Sequence, residues 1–344
     1  MLSQKSLVLP VWLYYLVLAV AAAAAASNSS LPLSSRTIFE FEESGIWLEN
    51  IAIRSNGDLL ITQTIPNASL YTLKAPYSQN PELTLLHTLD SPIGFLGIAE
   101  TSPDTFVIVS TGVVNITTPI PRTGALWEVS FHNDISMIRK FIDTPRILYP
   151  NGMTSPPGSL VVLEADCHGG AVIRSDTRTD ASSIALRDTE MAPVANASLE
   201  LGVNGVHYHD GYLYWSNSDL GSVFRTRFTD EGYPVAADGG VELVGKVNST
   251  VIDDFILNDA GVCWVATETN EIVAIGKDGL VQVVAGSPNE LTVAGTTAVA
   301  FGRTADDRKT LYAVAHDTEF FPRSNGFRQF AKVVAIDTSS YNIT

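Results

Sequence analysis

The amino-acid sequence predicts an all-β chain folded as a six-bladed β-propeller, closed by the N-terminal strand of the mature chain. Three observations predict it. A strand–turn–strand unit recurs about every fifty residues, further strands follow each copy, and no long run shows the three-to-four-residue apolar spacing of a helix. The unit reads ENIAIRSNGDLLIT at 49–62, LGIAETSPDTFVIVS at 96–110 and NGMTSPPGSLVVLEA at 151–165. It returns as NGVHYHDGYLYWSN at 204–217, DDFILNDAGVCWVAT at 253–267 and TAVAFGRTADDRKTLYAVA at 297–315. Gly57, Asp104, Gly158, Gly211, Gly261 and Lys309 occupy the equivalent turn position. Third strands follow, such as SLYTL (69–73) and SVFRT (222–226), then fourth strands such as LTLLHTL (83–89) and LVQVVA (280–285). The sixth copy has no fourth strand of its own. RTIFEF at 36–41 is placed to supply it, leaving no bare sheet edge at the seam.

In a propeller blade the first strand lines the axis and starts at one face of the disc, and the second strand returns to that face. Residues at those ends therefore converge on one central mouth. The first-strand set is Glu49 and Asn50, Leu96 and Gly97, Asn151, Asn204, Asp253 and Asp254, and Thr296 and Thr297. The second-strand set includes Gln63, Thr111, Glu164, Asp166, Asn217, Glu268, His316 and Asp317. A pocket carrying these groups is a candidate ligand site. Glu49, His316 and Asp317 are candidates for proton transfer, and Asn50, Asn151 and Asn204 for hydrogen-bond donation. The asparagines can equally hold backbone groups where strands enter the axis. Phe95, Tyr149, Trp215, Phe255 and Phe320 flank the same strand ends, as blade packing or as an apolar wall for a substrate. His207 and His209, two apart on a strand, share one side and read best as packing between blades. Asp166-Cys167-His168 has the residue types of a nucleophilic site, but neighbours on an extended chain diverge, which argues against a catalytic thiol.

Composition narrows the classes. Hydrophobic residues make up 45% and charged residues 17%, and Gly and Pro are dispersed, which excludes a disordered, collagenous or coiled-coil chain. With 37 acidic against 21 basic residues, nucleic acid is not an expected partner. Two cysteines exclude a disulfide framework. Cys167 and Cys263 can pair in an oxidising compartment, although their places, a loop and a mid-strand two repeats later, argue against it.

Residues 1–26 have the parts of a secretory signal: Lys5, an apolar stretch, and Ala24-Ala25-Ala26 before Ser27. The expected organisation is a signal peptide at 1–26 and a propeller over 27–344, with no stable membrane insertion after cleavage; the alternative is an uncleaved anchor, since the apolar run is just long enough to span a bilayer, but its alanine half and Pro10 favour cleavage. Asn28, Asn67, Asn115, Asn196, Asn248 and Asn342 each open an Asn-X-Ser/Thr acceptor sequon, so a glycoprotein of the secretory pathway, secreted or held in a vesicular lumen, is expected.

The blade pattern, with Glu49 in the first blade, Pro150-Asn151-Gly152 in the third and Asp253 in the fifth, resembles the SMP-30/gluconolactonase-like propellers over residues 36–344. That resemblance implies a divalent cation, often calcium, held by Glu49, Asn151 and Asp253, with Asn204 as a further ligand; oxygen ligation suits a hard cation. Two stretches depart from the family pattern: Leu48-Glu49-Asn50-Ile51 stands for Glu-Gly-Pro, and Asp253-Asp254-Phe255 for Asp-Gly. Within the superfamily, the leader, the sequons, IWLENIAIRSNGDLLIT (46–62) and NGVHYHDGYLYWSNS (204–218) are most similar to propellers of fungal natural-product pathways. That group includes hetero-Diels–Alderases of tropolone–sesquiterpenoid biosynthesis. The resemblance implies small-molecule polyketide and terpene substrates: a hydroxymethyl-tropolone-type precursor loses water to an ortho-quinone methide, which adds across an alkene of a humulene-like sesquiterpene. This reading requires no cofactor. Two others stay open, a calcium-dependent lactone hydrolase of the gluconolactonase type and a non-catalytic secreted binding propeller.

Overall fold

The computed structural model describes residues 31–235, 240–249, 251–287, 289–322, 326 and 328–341. The expected signal peptide at 1–26 and the sequon residues Asn28 and Asn342 lie outside them. The described chain forms six four-stranded antiparallel sheets. Strand β1 (Ser35–Glu40) comes first. Blade one is β2 (Trp47–Ile53), β3 (Leu59–Ile65), β4 (Ser69–Lys74) and β5 (Glu82–Thr88). Blade two is β6 (Ile93–Ser102), β7 (Thr105–Asn115), β8 (Thr118–His132) and β9 (Ile135–Asp143). Blade three is β10 (Pro150–Thr154), β11 (Val161–Asp166), β12 (Ala171–Asp176) and β13 (Ala181–Arg187). Blade four is β14 (Val203–His209), β15 (Tyr212–Asn217), β16 (Ser222–Arg227) and β17 (Glu242–Lys246). Blade five is β18 (Ile252–Leu257), β19 (Cys263–Thr267), β20 (Glu271–Ile275) and β21 (Val281–Gly286). Blade six is β22 (Thr296–Phe301), β23 (Thr310–Ala315) and β24 (Lys332–Asp337). Its outer position is taken by β1, which pairs antiparallel with β24, Arg36 opposite Ala335 and Phe39 opposite Val333. The one helical turn among the described residues is a 3-10 turn at Thr189–Met191, capped by the Asp188 carboxylate.

Alternating strand residues face the neighbouring blade, so the core is divided into seams. Six large apolar clusters each lie between one pair of adjacent blades; Leu48, Ile51 and Leu59 of blade one meet Ala298, Tyr312 and Val314 of blade six. Each fully buried Leu, Ile or Val contributes roughly 1.5–3 kcal/mol, so the seams hold the disc together. Cys167 and Cys263 sit free in two different seams, blades two–three and four–five. Among the described residues no helix is long and apolar enough to cross a membrane.

At the mouth end every first strand slips out of register with its second strand. The breaks fall between Leu48 and Asn50, Phe95 and Ile98, Pro150 and Met153, Val203 and Val206, Ile252 and Phe255, and Thr296 and Ala298. Such a bulge re-aims side chains that a regular ladder would send between blades. The residues released are the polar mouth set. Just below them the strands crowd together. A Cβ on Gly152 would lie 2.6 Å from the Asn204 carbonyl oxygen and 2.7 Å from Gly205 Cα, and one on Gly205 would lie 2.3 Å from Asp254 Oδ1. Gly152→Ala therefore has only backbone to push against. Its expected cost is about 1–3 kcal/mol, read as a lower thermal or denaturant midpoint; an unchanged midpoint would mean that the first strands have slack at this level.

Candidate active site on the propeller axis

Glu49, Asn151, Asn204 and Asp253, all released by bulges, meet with Tyr149 around a cavity at the top of the axis. Trp47 and Glu268 complete its lower wall, and Ile116, Thr117, His168, Leu199, Leu201, Val251 and Phe321 roof it. The cavity is only partly enclosed, and its inner volume is about 40 Å³, room for a few waters.

The floor is acidic and buried. Burial pushes the Glu49 carboxyl up to about 8; the Trp47 indole N–H, which donates to it, opposes this, and the charges of Glu268 and Asp254 add to it. Asn151 also bonds to Glu49. Asp253 is pushed well above the usual carboxylate range, first by burial and then by the charges of Glu49 and Glu268, and it shares a hydrogen bond with Glu268. Burial and mutual repulsion thus bias both carboxyl groups toward the protonated form. Asn204 donates through Nδ2 to Ser218 Oγ at 2.9 Å, while its buried Oδ1 has no partner.

Behind the floor, two stacked rings hold two of the acids. Trp47 and His316 lie 4.2 Å apart and parallel within 4°. Trp47 serves Glu49, and His316 Nε2 lies 2.8 Å from Glu268 Oε2. His316 Nδ1 is 2.6 Å from the Asp317 carbonyl oxygen, which only accepts, so Nδ1 carries a proton and the contact with Glu268 shares whichever proton remains. Phe320 and Phe321 pack edge-on against the stack.

Several sequence candidates stand elsewhere. Asn50 is turned below the cavity, where its Nδ2 donates to Asp254 Oδ2 at 2.8 Å. His316 is fully buried one layer behind Glu268, and Asp317 accepts from the Gly45 and Glu319 backbone N–H groups, pinning a loop. Phe95, Trp215 and Phe255 are wholly buried in three separate seams, so none is a substrate wall; alternation on their strands sends them between blades. Phe320 supports Trp47 and does not line the cavity. His207 packs edge-on against Phe255 and bonds to Asp254 Oδ1 at 2.9 Å. Burial raises the Cys167 thiol well above its ordinary value, which disfavours a thiolate nucleophile. Of the residues that sequence reasoning missed, Trp47 had a signal: two positions before Glu49, it shares a strand face with it. Leu199, Leu201, Val251 and Phe321 lie in segments between strands, without such a signal.

The cation that the gluconolactonase resemblance implies would fall on Glu49, Asn151 and Asp253, which do share this cavity. Glu49 is bonded to Trp47 and Asn151, and Asp253 to Glu268, while the buried Oδ1 of Asn204, the further ligand of that expectation, has no partner.

A further buried acid lies outside the cavity. Burial pushes Glu164 up to about 8; Ser175 Oγ donates to one carboxyl oxygen at 3.0 Å, and the other has no partner. Because its pKa is raised on folding, the native state keeps a proton that the unfolded chain releases above its ordinary 4.5. Its contribution to stability is thus full below that value and lost as pH rises through about 8. Glu164→Gln is expected to flatten the fall of Tm between pH 5 and 8; an identical profile in the variant would refute this.

No protein-family model matches the chain. In sequence it is 27% identical over 344 residues to the "Putative hetero-Diels-Alderase asR5" of Sarocladium schorii, covering 90% of this chain and 85% of that protein. It is 29% identical over 315 residues to a "Putative hetero-Diels-Alderase" of Phoma sp, covering 84% of this chain and 88% of the relative. Among solved structures, a gluconolactonase of Xanthomonas campestris aligns with a TM-score of 0.61 at 12% identity, over 92% of this chain and 93% of that one. A luciferin-regenerating enzyme aligns at 0.62 and 12%, over 89% and 95%. The regucalcin of Agrobacterium tumefaciens aligns at 0.58 and 13%, over 89% and 94%. The chain is thus similar in sequence to proteins described as hetero-Diels–Alderases, on a fold shared with the gluconolactonase-type six-bladed propellers.

Proposed function

We propose that the protein is a hetero-Diels–Alderase of fungal secondary metabolism, acting on small molecules in the axial cavity. One observation carries the reading: buried carboxyl groups that favour their protonated form share one cavity with the apolar side chains Ile116, Leu199, Leu201, Val251 and Phe321. Similarity to the two relatives supports the reaction class. The substrate would be a hydroxymethyl-tropolone-type precursor. The Glu49–Asp253 pair gives a proton to the hydroxymethyl oxygen, the carbon–oxygen bond breaks and water leaves. The tropolone hydroxyl proton then returns to the pair, and the product is an ortho-quinone methide. Its oxygen and exocyclic carbon form one C–O and one C–C bond to the alkene of a humulene-like sesquiterpene, closing a dihydropyran.

The unpartnered Asn204 Oδ1 is an acceptor for a substrate hydroxyl, and Ile116, Leu199, Leu201 and Phe321 are the apolar surface for the terpene. Holding diene and alkene together removes an entropy cost of up to about 7–11 kcal/mol.

Asp253→Asn and Glu49→Gln are expected to lower kcat for the dehydration by about 10²–10⁴-fold while sparing the cycloaddition of a chemically released quinone methide. Wild-type dehydration rates in both variants would overturn the acid assignment. Because the reactive form is the protonated one, kcat should hold a plateau at lower pH and fall as pH rises through about 8; a rate that rises across that range would contradict it. The shared position of Glu49, Asn151 and Asp253 favours one rival, the calcium-dependent lactone hydrolase. A stoichiometric divalent cation, with lactone hydrolysis that chelation abolishes, would replace the present reading with that one.

A further inference from the structure

Four acceptor sequons fall on described residues, and all four are on the mouth face. Asn67 lies in the β3–β4 turn, Asn115 at the tip of the β7–β8 arm, Asn196 in the link between blades three and four, and Asn248 in the link between blades four and five. All four residues are exposed. The opposite face has loop asparagines too. Asn56, Asn80, Asn133 and Asn258 are followed by Gly-Asp, Pro-Glu, Asp-Ile and Asp-Ala, none of which completes an acceptor pattern. Three of the four mouth-face sites also adjoin the cavity roof: Asn115 precedes Ile116 and Thr117, and Asn196 and Asn248 each stand three residues before a lining residue, Leu199 and Val251.

Asn115 is already set for modification. The Thr117 backbone N–H and hydroxyl donate to its Oδ1 at 3.0 and 2.9 Å, so the turn is held by the amide oxygen and not by Nδ2. The arm is docked one residue further on, where the Tyr149 hydroxyl donates to the Ile116 carbonyl at 3.0 Å. A sugar on Nδ2 extends from the tip without breaking either contact.

We propose that the mouth face is the N-glycosylated face of the protein, that Asn115 carries a glycan at the lip of the cavity, and that these glycans shield the roof loops from macromolecules while the opposite face stays bare. The inference rests on the secretory reading of residues 1–26 and is independent of the reaction. The oligosaccharide comes from a lipid diphosphate donor. A bond forms between Nδ2 and the anomeric carbon, the bond from that carbon to the diphosphate oxygen breaks, the lipid diphosphate leaves, and Nδ2 loses one proton.

The test is glycopeptide mapping of the full chain made in a eukaryotic secretory host, once with its own leader and once with residues 1–26 replaced by a proven secretion leader. Asn67, Asn115, Asn196 and Asn248 are expected to be occupied, and Asn115→Asp, which keeps the oxygen the turn uses, should lose only the glycan at 115. Occupancy under the foreign leader with cytosolic retention under the native one would overturn the secretory reading and leave the face assignment standing. An unmodified Asn115 in folded, secreted protein would overturn the proposal. Enzymatic deglycosylation of the native protein is expected to speed tryptic cleavage after Arg122, exposed on the same arm; an unchanged rate would refute shielding.

Discussion

One backbone device carries the site: each first strand leaves its ladder at the mouth. A regular strand would send Glu49 and Asn50 to opposite faces, each into a seam. The bulge frees both for the axis, at the cost of backbone groups that no longer pair. Single hydroxyls make good that loss in two blades. Thr62 accepts from the Asn50 N–H and donates to the Leu96 carbonyl, and Ser216 accepts from the Gly205 N–H and donates to the Asp253 carbonyl. Each hydroxyl thus joins the bulge of its own blade to that of the next, and the mouth is organised as a chain of blade-to-blade contacts.

The bulges also account for the chemistry. They set Glu49 and Asp253 in a buried shaft with Glu268 alongside, where three full negative charges would repel and each would lose part of its hydration. The molecule meets this by keeping carboxyl groups protonated and by spending donors sparingly: an indole N–H on Glu49, an imidazole edge on Glu268, an amide on Glu49. Because Trp47 and His316 are stacked, a shift of either ring moves the partner of a different acid.

The six blades were legible in the sequence because each is a local unit whose turn and alternation repeat. The positions of Glu49, Asn151, Asn204 and Asp253 were legible for the same reason, as equivalent entries to equivalent strands. Direction was harder. Asn50 and Asp254 adjoin lining residues and yet face away, since adjacent positions at a bulge diverge, and no pattern in the sequence states which of two neighbours is turned upward. Phe95, Trp215 and Phe255 sit at the expected ends but on the seam side of the alternation. The β7–β8 arm carries Gly112, Pro119 and Pro121, poor interior strand residues, so no strand was legible there; the structure nevertheless continues both strands through it.

The bridge from Asn50 to Asp254 reaches from blade one to blade five past blade six, and His207 braces its far end. Beneath the cavity the axis is therefore stoppered by buried polar groups already engaged with one another. A propeller is often pictured as a tube, but this one is a flask with a single neck. In the proposed reaction the water expelled in the first step has that one neck to leave by. The order in which water departs and the alkene arrives then decides between cyclisation and simple rehydration.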